Sequence, residues 1–161
     1  MLNENFQAGF NGATTTAKYM NGNATNSDLL LRQLYNVSSN SHYGGTGNGG
    51  YHVMIGAGDT APIRSEYDLA DASIMADNKM KSLMQTASWQ KTTGAVATTQ
   101  WQNNSNEPIT VKEVALGFKN IGGSGSAYSK GANVMVARKV LTTPVTIQPG
   151  EIYAFSYGIS I

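Results

Sequence analysis

The sequence predicts a mainly β protein, an antiparallel β-sandwich (jelly-roll-like) with an extended N-terminal arm and one short helix. Short apolar segments follow one another after residue 50, and turns containing Gly or Pro separate them. These segments do not alternate with helix-like stretches, as they would in a fold built on a parallel sheet. We therefore divide the chain into residues 1–50, which form the arm, the helix and a Gly-rich linker, and residues 51–161, the β-sandwich body.

The arm has no apolar periodicity that would build a core of its own over its first 25 residues. We expect its isolated aromatic side chains Phe6, Phe10 and Tyr19 to contact a partner. A short helix is predicted over about 27–36, because Asp28 lies in the first turn, which favours negative charge, and four apolar residues share one side. These four residues are Leu30, Leu31, Leu34 and Tyr35. The arm is therefore predicted to dock on another protein and to become ordered there.

The linker over 38–50 ends in seven residues of which five are glycine. The pattern G-x-G-x-x-G occurs at 45–50. In a dinucleotide-binding fold this pattern follows a strand and opens a helix, so that the phosphate groups meet helix N–H groups. Here it precedes a predicted strand at 51–55. We interpret it as linker and predict no cofactor.

The first half of the body is predicted as a strand and a hairpin with an undecided segment between them. The strand at 51–55 is closed by a Gly-rich turn. Residues 65–85 fit neither a helical nor a strand period. Their pattern is compatible with a short helical turn. Residues 86–102 predict a hairpin with its turn near Gly94.

The second half of the body shows the clearest alternation. The apolar positions change phase between Val111 and Val114, which predicts a β-bulge near Lys112 and Glu113. Separate strands are predicted at 133–140 and 145–147, with Pro144 as the boundary. The last strand places its aromatic and Ile residues on one buried face and small residues on the other. The residues of the buried face are Tyr153, Phe155, Tyr157, Ile159 and Ile161.

Composition limits the classes of partner. The net charge is +1 and only 13% of residues are charged, so neither nucleic acid nor an anionic membrane is predicted as the main partner. The absence of Cys excludes thiol catalysis and zinc–thiolate sites. Gly, Asn, Ser and Thr together make up 62 of the 161 residues. A surface with so few charges suits a protein that stays assembled on something else.

Two groups of polar residues are candidates for reactive sites. His42 and His52 flank the glycine run, without the close spacing of a metal motif. Half of the ten carboxylates lie between residues 59 and 77, where a Ca²⁺ site or a pair of hydrolytic carboxylates is conceivable. These carboxylates are Asp59, Glu66, Asp68, Asp71 and Asp77. We favour solvation and pairing with Arg64, Lys79 and Lys81, and we predict no catalytic residue and no metal.

Aromatic residues of the body suggest an alternative function. Trp89, Trp101 and Tyr128 could stack on sugar rings if they lay on an exposed face, which would make the body a receptor- or glycan-binding module. Aromatic residues at strand spacing are more often part of a core. A polysaccharide hydrolase using Glu66, Asp68 or Asp71 is the second alternative.

Several segments of the body together resemble a known group of proteins. Residues 55–62 read Ile-Gly-Ala-Gly-Asp-Thr-Ala-Pro, and Tyr-Asp-Leu-Ala follows at 67–70. With the segments at 109–116, 135–140 and 145–151, they are similar to small bacteriophage virion proteins. The resemblance implies a non-enzymatic component of the virion, made in the bacterial host cytoplasm, and often oligomeric. It would be a capsid decoration or head-fibre protein, or a tail-associated protein, with the major capsid protein or tail and collar proteins as partners.

Overall fold

The computed structural model describes residues 17–18, 24–25, 51–63, 65–90, 94–119 and 133–159. All strand pairs among these residues are antiparallel, and no helix occurs in them. This part of the chain is therefore all-β, as predicted. The helix predicted over about 27–36 and all seven predicted docking residues lie outside the described residues.

The strands form one short pair and two three-stranded sheets. The short pair consists of β1 Ala17–Lys18 and β2 Ala24–Thr25. The first sheet has the order β3-β6-β7, with β3 Tyr51–Gly56, β6 Ile109–Lys119 and β7 Asn133–Ile147. The second sheet has the order β4-β5-β8, with β4 Met80–Gln90, β5 Gly94–Asn103 and β8 Ile152–Ile159.

Two local predictions are confirmed. β4 and β5 form the hairpin, with Gln90 opposite Gly94 at its closed end, although β4 begins earlier, at Met80. The pairing of β6 with β7 shifts its register between Val111 and Glu113, where the phase change predicted a bulge. Residues 65–79 form no helical turn and instead make a loop with turns such as Met75 N–H to the carbonyl of Ala72, 3.0 Å.

The prediction that Pro144 separates two strands is wrong. β7 runs continuously through Pro144, and its residues 141–144 stand opposite only Lys112 of β6, which makes a bulge. A proline removes one N–H donor, which an edge strand or a bulge tolerates. β7 is an edge strand of its sheet and Pro144 is exposed, so both conditions hold here.

The main apolar core contains side chains of both sheets. Val53, Val114 and Val136 of the first sheet pack in one cluster with Trp101 and Phe155 of the second. The opposite face of the first sheet is covered by the loop over 57–79. There the apolar cluster consists of Met54, Leu69, Ala115 and Met135, with Ala72 and Met75 packed against it. The central part of the first sheet is thus buried on both faces.

Candidate functional site

A buried ion cluster joins the loop after β3 to the first sheet. Glu113 on β6 and Arg138 on β7 are 0% and 1% exposed, and Arg138 Nη1 donates to Glu113 Oε2. The same guanidinium donates from Nε and Nη2 to the two carboxylate oxygens of Glu66, both at 2.9 Å. Its Nη2 also donates to the carbonyl of Thr60 at 2.7 Å. Burial opposes the charge of Arg138, but hydrogen bonds with Glu66 and Glu113 outweigh it and raise the Arg138 pKa.

The carboxylate of Glu113 organises the loop above it. It accepts backbone N–H groups from Gly58 at 3.2 Å, Ala70 at 3.1 Å and Asp71 at 2.8 Å. A buried charge is tolerated only when it is paired and hydrogen-bonded, and Glu113 has both kinds of partner. This one side chain therefore connects two separate stretches of the loop to the sheet.

Two glycines of the segment that carries the virion resemblance are explained by this cluster. A Cβ added to Gly56 would lie 2.4 Å from Glu113 Oε1 and 2.7 Å from the carbonyl oxygen of Asp71. One added to Gly58 would lie 2.6 Å from the same carboxylate oxygen and 2.5 Å from the Cβ of Ala70. Only a residue without a side chain allows the backbone so close to Glu113. In this structure the Gly-Ala-Gly stretch is a packing feature.

The acidic segment over 59–77 engages partners that are distant in sequence. Asp59 pairs with Lys112 at 3.1 Å on the surface, and that hydrogen bond lowers the Asp59 pKa. Glu66 pairs with Arg138, as above, while Lys79 Nζ donates to the carbonyl of Ser73 at 3.3 Å. Pairing of the acidic residues is thus seen, but with cations of β6 and β7. Arg64 lies outside the described residues.

The three carboxylates of the hydrolase alternative all accept hydrogen bonds from neighbouring groups of the protein. Glu66 binds Arg138, Asp68 Oδ1 accepts the N–H of Leu69 at 2.8 Å, and Asp71 Oδ1 accepts the N–H of Ser73 at 2.9 Å. No group of three or more potential metal ligands occurs within the described ranges. His52 is buried, with 2% of its surface exposed. His42 lies in the part of the chain that is not described.

The glycan-binding alternative loses one of its residues. Trp101 is 0% exposed, and its Nε1 donates to the carbonyl of Val53 at 3.1 Å. Stacking on a sugar needs an exposed ring face, so the predicted role of Trp101 is wrong: it is a core residue that contacts the edge of β3. The side chain of Trp89 and the whole of Tyr128 lie outside what the structure describes.

The outer side of the second sheet presents an exposed surface whose single charge, Lys81, lies at its margin opposite Gln102. Lys81, at one end of β4, is the single charged residue of β4, β5 and β8, whereas β6 and β7 carry five. Val96 is 49% exposed and Ile152 is 55% exposed. The outward residues of β5 and β8, which we call the uncharged face, are Val96, Thr98, Gln100, Gln102, Ile152, Ala154, Ser156 and Gly158.

Cross-strand contacts connect the two strands of the uncharged face. Thr98 Oγ1 and Ser156 Oγ lie 2.8 Å apart on neighbouring strands, and β5 and β8 pair without any register shift. Leu83 and Met84, at the bulge of β4, are 42% and 48% exposed and add apolar area to the same sheet. An exposed apolar and uncharged surface of this kind is suited to contact with another macromolecule.

Comparison with known proteins found no match to this chain among protein-family models, curated proteins or solved structures. None of the described residues belongs to a helix long and apolar enough to cross a membrane.

Sequence reasoning missed both the ion cluster and the uncharged face. The signal for the cluster was present, because Glu113 and Arg138 each interrupt an apolar strand with a charge. The sequence also contained a signal for the uncharged face, because the segments that form β4, β5 and β8 carry only one charged residue, Lys81. Neither signal could be interpreted before the pairing of the strands was known.

Proposed function

We propose that this chain is a non-enzymatic structural protein of a bacteriophage particle, either a capsid decoration or head-fibre protein or a tail-associated protein. The resemblance of its body to small virion proteins motivates the proposal. The observation that carries it is the uncharged face, a solvent-exposed sheet surface that lacks the charges normally found on a free protein surface.

The body is proposed to be a β-sandwich of the jelly-roll kind. The support is that side chains of both three-stranded sheets share one apolar cluster around Trp101. In such an arrangement one sheet covers the core on its inner side and leaves its other side free. The uncharged face is then the free side of the second sheet.

Low charge favours assembly for a physical reason. Taking a charged group out of water costs several kcal/mol unless it is paired, whereas burying Ala or Val is favourable. The hydroxyls of Thr98 and Ser156 already hydrogen-bond to each other. The uncharged face can therefore be covered by a partner without a dedicated set of compensating charges. This suits a protein packed against a large assembly.

The N-terminal arm is proposed as the anchor. Its apolar residues Phe6, Phe10 and Tyr19, with the predicted helical stripe, would be buried on the major capsid protein or on tail and collar proteins. The stripe consists of Leu30, Leu31, Leu34 and Tyr35. No nucleic acid and no membrane takes part in this proposal.

The test is co-purification with particles. Phage particles are produced in host cells that express the full chain or a variant lacking residues 1–50, and are purified through a density gradient. Quantitative mass spectrometry then measures the copies of the chain per particle. We expect the full chain at a fixed number of copies and the variant in the soluble fraction, with its β circular dichroism unchanged.

Two results would count against the proposal in different ways. If purified particles contain no full chain, the virion role is wrong. If the variant lacking residues 1–50 assembles at full occupancy, the arm is not the anchor. The matched control is Lys81→Gln in the full chain, which we expect to leave the number of copies unchanged, because Lys81 lies at the margin of the second sheet.

A further inference from the structure

The edges of the first sheet are both protected against pairing with another strand. On β3, the N–H of Val53 donates to Thr99 Oγ1 at 2.8 Å and its carbonyl accepts from Trp101 Nε1 at 3.1 Å. On β7, the exposed Lys139 and the bulge with Pro144 interrupt the edge. Charges, prolines and bulges are the usual means by which edge strands avoid unwanted pairing.

The two edges of the second sheet differ from each other. β4 has a register shift between Ser82 and Gln85 and carries Lys81. β8 has no charged residue, no proline and no register shift over its length. No other described strand pairs with its far side. Of the four edges, β8 alone lacks any of these protective features within the described residues.

The edge of β8 that faces away from β5, and that no other described strand pairs with, can be assigned residue by residue. The N–H of Asn103 donates to the carbonyl of Glu151 at 3.0 Å, where the β5–β8 ladder begins. Bonded residues alternate in an antiparallel ladder, so Tyr153, Phe155 and Tyr157 exchange hydrogen bonds with β5. The residues between them therefore direct their N–H and C=O groups away from β5. These residues are Ile152, Ala154, Ser156 and Gly158.

We propose that β8 pairs antiparallel with β8 of a second copy of this chain, about a two-fold axis, to join two three-stranded sheets into one of six strands. A register centred on Phe155 places Ala154 opposite Ser156 of the partner subunit. The two uncharged faces then form one continuous surface. This pairing deepens the proposed function, on which it rests, by naming the element through which copies of the chain associate.

A second copy is the occupant that the properties of β8 favour. β8 offers no charge by which an acidic or basic partner would be recognised. Its own copy matches it in length and in the spacing of hydrogen-bonding groups, and no like charges meet when the two strands pair. An isologous contact of this kind closes on itself as a dimer.

The experiment measures the mass of the full chain by sedimentation velocity over a range of concentrations. Ala154→Lys places a charge beside the two-fold axis on the edge strand. Gln100→Lys is the matched control, because Gln100 lies directly opposite Ala154 on the same face but on the central strand β5. Ala154→Pro removes one edge N–H without touching the ladder with β5.

The wild type and Gln100→Lys are expected to sediment as dimers of the 17.1 kDa chain. Ala154→Lys and Ala154→Pro are expected to dimerise at least about tenfold more weakly than the wild type, with unchanged β circular dichroism. A wild type that is monomeric at every concentration overturns the pairing. Equal weakening by Ala154→Lys and Gln100→Lys overturns it too, because the edge would then have no special role.

Failure of the pairing and failure of the virion role give different results. A chain that is monomeric in solution but present in purified particles refutes β8 pairing and leaves the proposed function standing. A dimer that Ala154→Lys disrupts, from a chain absent from particles, supports β8 pairing and refutes the virion role.

Discussion

Single charged residues have two different roles in this chain. Arg138 and Glu113 are buried, and each is surrounded by polar partners that compensate for its charge. The side chain of Lys112, adjacent to Glu113 in sequence, is 40% exposed and pairs with the side chain of Asp59, which is 72% exposed. Exposed pairs contribute little to stability, whereas removing one member of a buried pair leaves an uncompensated charge.

The first prediction compares these two cations. Arg138→Met leaves the buried carboxylate of Glu113 without its counter-ion, so we expect a loss of about 3–5 kcal/mol in the free energy of unfolding. Lys112→Met removes only a surface pair, and we expect a change within about 1 kcal/mol. Urea unfolding followed by circular dichroism measures both. Equal losses in the two variants would show that the buried cluster is not a main support of the fold.

The second prediction concerns Gly56. Gly56→Ala forces a Cβ against Glu113 Oε1 and the backbone carbonyl of Asp71, neither of which can move freely, so we expect a loss of about 1–3 kcal/mol. Gly117→Ala is the comparison, because its Cβ would meet mainly the flexible end of Met54 at 2.8 Å. Thermal unfolding should show the larger decrease in Tm for Gly56→Ala. A larger decrease for Gly117→Ala would contradict the role given to the Gly-Ala-Gly stretch.

The third prediction concerns the pH dependence of stability. Burial raises the pKa of the Tyr157 phenol above its ordinary value of 10.0. The folded state therefore keeps this proton longer than the unfolded chain, and the stability present below pH 10 is lost as pH rises through the raised pKa. Tyr157→Phe should reduce the loss of stability between about pH 9 and about pH 11.

The control for this measurement is Tyr153→Phe on the same strand. The prediction that Tyr153 is buried is wrong, since it is 44% exposed, so this variant removes a phenol without removing the more buried one. Urea unfolding at several alkaline pH values compares the two variants with the wild type. If both variants keep the full alkaline loss, Tyr157 does not contribute to it.

At the scale of elements, the edge of β3 is connected to the second sheet by side chains. Thr99 and Trp101 of β5 bind the N–H and the carbonyl of Val53, which point away from β6. Backbone groups buried without partners are costly, so these two contacts replace the hydrogen bonds that another strand would make. They connect the two sheets at one point.

The fourth prediction tests this connection. Thr99→Val keeps the shape of the side chain but leaves the Val53 N–H without its acceptor, which should cost about 1–3 kcal/mol. Amide hydrogen exchange should become faster at Val53 than at Met54. Hydrogen-bonded residues alternate along an antiparallel strand, so the N–H of Met54 points to β6 and keeps its acceptor there. Thr99→Ser keeps the hydroxyl and should protect Val53. Fast exchange of Val53 in the wild type would contradict the contact.

The elements that could be predicted from the sequence are those with local signals. The hairpin of β4 and β5 and the bulge beside Glu113 follow from period-2 alternation and from a single change of phase. Pro144 was misinterpreted because proline ends a central strand, whereas β7 is at an edge, which depends on the strand order. Residues 65–79 gave no period because the sheet beneath them, not their own repeat, decides which side chains are buried.

The candidate site could be predicted only in part. Arg138 and Glu66 are 72 residues apart in sequence, and Trp101 and Val53 are 48 residues apart. No local sequence pattern can predict contacts over such separations. The exposure of Val96 and Ile152 depends on which face of the second sheet meets the core. The compositional clue, low charge, was visible in the sequence, but its concentration in one sheet emerged only with the strand order.

At the scale of the whole molecule, the charges are unevenly distributed. The first sheet and its loop contain the ion cluster, while the second sheet has Lys81 alone. In our account the first sheet and loop stabilise the body, and the second sheet and the arm make contacts with the particle and with other copies. This account would explain why the charges lie mainly where they stabilise the fold and are scarce on the sheet that is proposed to make contacts.

The most direct test of this account is an electron-microscopy reconstruction of the intact particle with the chain bound. We predict density for the two sheets at regularly repeated positions, with Val96 and Ile152 on the uncharged face covered by neighbouring protein and the arm entering the capsid or tail. A reconstruction in which the chain is absent, or in which the uncharged face points into solvent at every position, would contradict the account.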